Sequence, residues 1–439
     1  MKYLALLFLL PNFLLAGSGI IKSGPMLAYC EYREVMIWLQ SEKEAEVKIR
    51  YFNDDKSLSF FTNTVLTNKS EAYTAHLLCD SVQPGIKYNY EVIVNDKIVE
   101  FNYDLEFTVP ALWQWRTDAP NFSFATGSCS FINDPEYDRP GKGYGGDPVI
   151  FKSIAQKDPD LMLWLGDNVY YREADWFTKT GMMYRMTYSR KTPEMQELLA
   201  SAYNYAIWDD HDFGPNNSDR SFRNKKDALD VFKMFWGNPS YGFNDTPGCM
   251  TTFSYSDVDF FLLDNRYHRS PNYLTSDENR TILGKEQIDW LIDNLVSSQA
   301  TFKVIAMGGQ FLNPTKKYET YANIAPEERE YLLTQLKINR IQGVILLTGD
   351  RHHTELSILK RYKDSPILDL TVSPLTSGTH NGCSEGNDLQ VEGTCVSEHN
   401  FAVLNVQGSK DQRKIIINIY DKMGEIIWEK EFNANYLNR

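Results

Sequence analysis

Histidine and cysteine are scarce in this chain, at seven and six of 439 residues, so the positions of each are informative. Positive charge is also short: 45 Lys+Arg stand against 58 Asp+Glu, a formal net charge of −13. That balance argues against a nucleic-acid-binding surface, where neutralising a phosphate backbone demands a basic face. Local anion binding through metals or a few arginines is not excluded. Beyond the N-terminus no segment approaches ~18 unbroken apolar residues, so the mature chain is expected to be soluble, with no transmembrane segment. Neither an internal repeat nor a low-complexity tract is visible. Core material is abundant, with 42% hydrophobic and 13% aromatic residues, which excludes global disorder. The length suggests two or three domains at roughly 100–200 residues each.

Met1-Lys-Tyr places one positive residue ahead of an apolar run from Leu4 to Ala16, broken by Pro11 and Asn12 and followed by Gly17-Ser18-Gly19. The run is too short to span a bilayer and reads as a cleavable secretory signal over residues 1–18. Ser18 stands where a lipoprotein signal would carry Cys, so no lipid anchor is expected, and the protein should be secreted or periplasmic. Export permits disulfides. Cys383 and Cys395 sit in a Gly/Ser/Asn-rich segment suited to a loop staple. Cys30 and Cys79 could also pair, a matter spacing alone does not decide, and Cys249 reads as a buried free thiol.

From about Gly24 to Pro110 the pattern is short and alternating. Val35–Leu39, Glu46–Tyr51 and Lys87–Val94 read as strands between polar turns, as in a small β-sandwich over residues 19–112. The stretch Val82–Tyr90 resembles the turn and tyrosine strand of fibronectin type III modules. A junction with two tryptophans follows, and residues 118–439 read as a second, α/β domain. There, apolar runs end abruptly at polar residues: Phe122–Thr126 at Cys129, Leu161–Leu165 at Asp167, and Tyr203–Trp208 at Asp209-Asp-His-Asp212. Val258–Leu263 ends at Asp264-Asn-Arg266, Phe302–Met307 at Gly308-Gly-Gln310, and Val344–Thr348 at Gly349-Asp-Arg-His-His353. Helical patterns intervene at Pro148–Gln156, Pro193–Ala202, Gly284–Ser297 and Glu327–Asn339. Strands so uniformly apolar are buried on both faces, and in α/β layers the site lies beyond their carboxyl ends. One rim could therefore collect all six endings.

Each ending has a bland reading and a chemical one. Asp167 could cap a turn, or bridge two cations with one oxygen on each; Tyr170 and Tyr171 beside it offer phenolate donors suited to ferric iron. Cys129 is an inert thiol, a disulfide partner, a nucleophile or a ligand, and a thiolate ligand is the sharper reading beside Asp167. In the Asp209–Asp212 cluster a carboxylate or amide can hold a second metal while His211 protonates a leaving oxygen. Gly214-Pro215 turns the chain and could return Asn216 to the rim. Asp350 and His352 alternate and so address one site, leaving His353 to face elsewhere. Arg266 either grips a phosphate oxygen or pairs with Asp264.

Gly127-Ser-Cys129, Trp164-Leu-Gly-Asp-Asn-Val-Tyr170, Trp208-Asp-Asp-His-Asp212 and Gly349-Asp-Arg-His352, in that order, resemble the motifs of the PhoD-like alkaline phosphatases, a branch of the calcineurin-like metallophosphoesterases. Gly24–Leu27 and Arg33–Trp38 resemble that family's N-terminal sandwich. The resemblance implies a four-layer α/β metallophosphoesterase core, two packed mixed sheets flanked by helices, behind a fibronectin- or immunoglobulin-like β-sandwich. It implies a dinuclear centre with Cys129, Asp167 and Tyr170 around a ferric ion. Asp167 would bridge to calcium or another divalent ion, and Asp350 and His352 would divide between the two. The second-metal ligand is Asp210 by the superfamily's pattern, and Asn216 or Asn217 by this branch's. The expected activity is hydrolysis of phosphomonoesters, phosphodiesters or both, by a metal-activated water, with His211 as proton donor and Arg266 on the phosphate. The alternatives are a non-catalytic surface binding protein on the same scaffold, or a diesterase specific for phospholipids, nucleotides or teichoic acids.

Overall fold

Alternation builds the N-terminal layers. In Glu46–Phe52 the side chains of Val47, Ile49 and Tyr51 are buried while Lys48 and Arg50 face outward. A computed structural model describes residues 20–275, 280–361 and 365–438; the expected signal segment lies outside these. Ile21–Glu31, Glu34–Ser41 and Thr74–Cys79 form one antiparallel sheet. Glu46–Phe52 and Lys87–Val94 centre a second. Tyr51, Tyr88 and Phe107 pack between them, with ring centroids 5.4–6.3 Å apart. Cys30 and Cys79 are both opposite Val35, on either side of the middle strand, and both are free. Two strand spacings of ~4.8 Å separate them, beyond the reach of a disulfide.

The remainder is a pair of mixed six-stranded sheets. In the first, Phe122–Gly127, Leu161–Leu165 and Tyr203–Ile207 run parallel, and Asn400–Gln407, Lys414–Asp421 and Ile426–Asn433 extend it antiparallel. In the second, Val258–Leu262, Phe302–Ala306, Val344–Thr348 and Ile367–Thr371 run parallel, flanked by antiparallel Thr251–Tyr255 and Glu355–Leu359. The period of two gives each strand two buried faces. Phe260, Val304 and Ile345 face the first sheet's core, whereas Phe261, Ile305 and Leu346 pack against Leu291 of Lys285–Ser297 and Leu332 of Pro326–Ile338. Ring contacts tie the sheets together, Phe124 to Phe260 at 5.3 Å and Tyr205 to Phe253 at 3.6 Å. The helices Val149–Ala155, Gln196–Ser201 and Lys225–Phe235 join the first sheet's core. The architecture is the expected four layers.

The N-terminal sheets dock on the edge strand Tyr203–Ile207. Asn204 donates to the Leu27 carbonyl at 3.1 Å, and the Trp38 indole to the Met234 carbonyl at 2.7 Å. The Arg190 guanidinium lies 3.9 Å over the Trp236 ring. Among the described residues no helix is long and apolar enough to cross a membrane.

Candidate metal centre

Leu161–Leu165 is buried along its whole length, so its end is fixed, and the chain leaves it through Gly166 at φ +90. A Cβ there would meet Asp209 and Trp208 at 2.8 Å. Asp167 follows at φ +50, and Cys129, Asp350 and His352 also have left-handed backbones, at +62, +67 and +56. Non-glycine residues in this region cost of order 1–3 kcal/mol each and persist where surrounding structure holds them. The strand ends thus spend stability to aim these side chains at one place.

Three donor groups overlap there: Cys129, Asp167 and His352; Asp167, Asp210 and His211; and Asp167, Asp209, Asp210 and Asp350. Within each, the donor atoms lie within 4.8 Å of one another, and Asp167 belongs to all. Cys129 Sγ is 3.7 Å from Asp167 Oδ2, and the Tyr170 hydroxyl donates to the same oxygen at 3.2 Å. That hydroxyl is 3.3 Å from His352 Nε2. Asp167 Oδ1 accepts the His211 amide at 3.2 Å. Asp210 Oδ2 accepts the Asn217 amide at 2.6 Å, while Asp210 Oδ1 and Asp209 Oδ2 are buried without any hydrogen-bond partner. Carboxylates, a thiol, a phenol and an imidazole with orphaned buried oxygens are a donor set that fits cations. A cavity of about 610 Å³ opens over them, bordered by Asp167, Asp210, His211, Asn216, Asp350 and His352. No residue of the N-terminal sheets reaches it.

Charge repulsion runs through the cluster. Burial, then Asp210, Asp209, Asp212 and Asp350, push the Asp167 carboxyl well up; burial and Asp209 do the same to Asp350. Burial and Asp167 raise the Cys129 thiol and the Tyr170 phenol. Burial also works against ionised Asp210, but His211 and Arg266 more than offset it and hold this carboxyl below the usual range. Burial and His211 push His352 down to about 4, leaving its imidazole neutral near pH 7. Acids with raised folded pKa values bind more protons folded than unfolded. The metal-free protein should therefore lose stability as pH rises from about 4 through the raised values. Cation loading should expel those protons, read as proton release in calorimetry across buffers of different ionisation enthalpy. Loading without proton release would contradict the mutual repulsion described here.

Several expected residues take other places. Arg266 is fully buried and does not border the cavity. Its guanidinium pairs with Asp209 and with Glu319 at 2.6 Å, and lies 3.6 Å from Asp210, so the phosphate grip gives way to a brace behind the carboxylates. The alternative pairing to Asp264 is not seen either: Asp264 accepts the backbone amides of Arg266, Tyr267 and Cys249. Asp212 accepts the Asn168 and Asp209 amides at 2.9 and 3.0 Å and is pushed up to about 8, by burial first. Asn216 and Asn217 are exposed at the cavity edge. His353 turns away, its Nδ1 3.0 Å from the Arg351 carbonyl.

Residues the motifs did not mark complete the surroundings. Ser373 donates to Cys129 Sγ at 3.2 Å and accepts the His352 amide at 3.0 Å. It follows Ile367–Thr371, a seventh strand end at the same rim, which the rule of unbroken apolar runs passes over because Asp369 interrupts it. Tyr144 lies 3.2 Å from His352 Nδ1. Glu385 holds Arg351 and, at 2.8 Å, His380, both bordering the cavity. Its loop is closed by the Cys383–Cys395 disulfide, with Cα atoms 5.6 Å apart, and Cys249 is a buried free thiol. Reducing that disulfide should loosen the Arg351–His380 wall, raising KM several-fold with little change in far-UV circular dichroism. An unchanged KM would detach the loop from the site.

Comparison with known proteins bears on the fold and the family. Residues 124–409 match the PhoD-like phosphatase family, and residues 19–112 a domain of unknown function (DUF7800). Alkaline phosphatase D of Bacillus subtilis (strain 168) is 24% identical over 337 residues. That match covers 66% of this chain but only 55% of the relative's length. A solved structure of PhoD superposes with a TM-score of 0.73 at 19% identity, over 97% of this chain and 94% of that one. Purple acid phosphatase PPD1 from yellow lupin (Lupinus luteus) seeds gives 0.68 at 11% identity, over 93% and 74%. Through the motif-bearing α/β layers that build the donor cluster, the chain belongs to the PhoD-like phosphatase family.

Proposed function

We propose that this chain is an exported, metal-dependent phosphoesterase acting on phosphomonoesters, phosphodiesters or both. The observation that carries the reading is the meeting of three largely buried donor groups at Asp167, with one oxygen each of Asp209 and Asp210 left without a hydrogen-bond partner. One cation would be held by Cys129, Asp167, Tyr170 and His352, a thiolate–phenolate set suited to ferric iron. The other would be held by Asp167, Asp210 and Asp350 with Asn216 at its edge, an oxygen-rich set suited to calcium or another divalent ion. When bound, such a pair neutralises phosphoryl oxygens and supplies a water nucleophile at neutral pH.

The chain's own residues do the rest. His211 borders the cavity with a side chain one-fifth exposed (21%), and its Nε2 lies 3.9 Å from Asp210 Oδ2. The Tyr170 ring lies against the imidazole, tilted by 32° with centroids 4.2 Å apart, so His211 is placed to donate to the leaving oxygen. Arg266 positions Asp209 and Asp210 from behind. Export is supported by the signal-like N-terminus and the Cys383–Cys395 disulfide.

Metal quantification beside a monoester and diester panel tests the reading. Two ions per chain with turnover are expected, along with a visible tyrosinate–iron band that weakens in Cys129→Ser. A colourless, iron-free protein would remove the ferric assignment. A chain that binds cations yet hydrolyses no ester would instead be a binding protein.

A further inference from the structure

A second cavity, of about 650 Å³, lies beside the first. His211, Asn216 and Tyr144 border both, so the His211 ring stands in the partition between them. Their chemistry differs. The first is walled by Asp167, Asp210 and Asp350 together with amides such as Asn272. The second is richer in aromatic residues, among them Phe131, Tyr137 and Trp176, with charged Arg139, Lys142 and Glu173 also lining it.

Its walls are braced. The Trp176 indole donates to the Tyr171 carbonyl at 3.1 Å. The Arg172 guanidinium lies 3.9 Å over the Phe131 ring and pairs with Asp138 at 2.6 Å. Tyr137 meets Tyr184 edge to face at 5.4 Å and keeps 39% of its surface exposed.

We propose that this chamber receives the leaving group of the ester and selects one bearing a planar aromatic ring, a nucleoside or an aryl alcohol. The proposal rests on the phosphoesterase reading above. A proton donor must reach the leaving oxygen within hydrogen-bond distance, directly or through one water. The donor cluster places phosphorus on the carboxylate side of His211, so the substituent on the oxygen facing His211 extends to the ring-lined side. Water adds to phosphorus and gives up a proton to solvent, the phosphorus–oxygen bond to the leaving group breaks, and the departing oxygen takes its proton from His211, which regains one from solvent. Aromatic walls favour flat π-systems by stacking, a gain that a small polyol does not share.

The test is phosphate release by the full, metal-loaded chain from AMP, phenyl phosphate and sn-glycerol 3-phosphate. AMP and glycerol 3-phosphate both depart as primary alkoxides, so their intrinsic reactivities are close. Wild type should prefer AMP to glycerol 3-phosphate by about 10-fold or more in kcat/KM, the scale of one stacked base. Trp176→Leu should cut AMP turnover about 10-fold, mostly through KM, with glycerol 3-phosphate held within about twofold. Tyr137→Ala, at a half-exposed position, should act in the same direction if Trp176→Leu folds poorly. Parallel loss on phenyl phosphate supports a chamber that takes aryl esters too; loss confined to AMP supports one fitted to a nucleoside. Equal changes on all three esters, or none on either aromatic ester, would overturn the chamber while leaving the phosphoesterase reading standing. A wild type inert toward these monoesters and toward the diester panel as well would take both down together.

Discussion

Asp167→Asn should abolish hydrolysis, by at least about 10³-fold in kcat/KM, while making the metal-free protein more stable. The two effects share one cause. Asp167 belongs to every donor group in the cluster, so its neutral amide costs both cation sites an anionic oxygen. The same carboxyl is buried among Asp210, Asp209, Asp212 and Asp350, so neutralising it also relieves repulsion in the absence of cations. Urea unfolding in chelator, beside ester turnover with cations restored, reads both. His352→Ala should likewise silence turnover, but with no gain in apo stability, because His352 is already neutral near pH 7. An Asp167→Asn enzyme retaining more than about a tenth of wild-type turnover would mean that the cations are held elsewhere.

The strands that carry the site were legible because they are buried on both faces. Leu161–Leu165 and Val344–Thr348 read as unbroken apolar runs, and both form as expected. Ile367–Thr371 did not read as one, because Asp369 interrupts it. That carboxylate is buried, accepting the Leu312 amide at 2.7 Å and the Thr348 hydroxyl at 2.9 Å. A polar residue that is satisfied only by distant partners looks from the sequence like a solvent-facing one. The helix Lys179–Arg190 escaped for a related reason: Arg185 and Arg190 are buried on its inner face, where a pattern search expects apolar residues. Arg185 pairs there with Asp134 and Asp175, at 2.9 and 2.8 Å. The site's first ring of side chains therefore follows from strand ends and residue type, whereas its supports follow from tertiary pairing.

Arg266 shows that distinction most sharply, and its removal should be strongly destabilising. Next to Asp264 in sequence it reads as a local ion pair or a phosphate ligand, yet its partners Asp209 and Glu319 lie 57 and 53 residues away. The guanidinium is fully buried and carries positive charge into a region crowded with carboxylates. Arg266→Leu leaves Asp209 and Asp210 buried without it, while Glu319 keeps Arg269 at 2.8 Å, and breaking such a buried pair costs about 3–5 kcal/mol. Urea unfolding of the metal-free protein should show that loss. Arg266→Leu/Asp209→Asn should lose less than Arg266→Leu alone, because one stranded charge is gone. Added calcium should narrow the gap to wild type, since a bound cation supplies some of the missing positive charge. A loss below about 1 kcal/mol, the scale of an exposed ion pair, would show that Arg266 braces nothing and that the carboxylates are neutralised by other means.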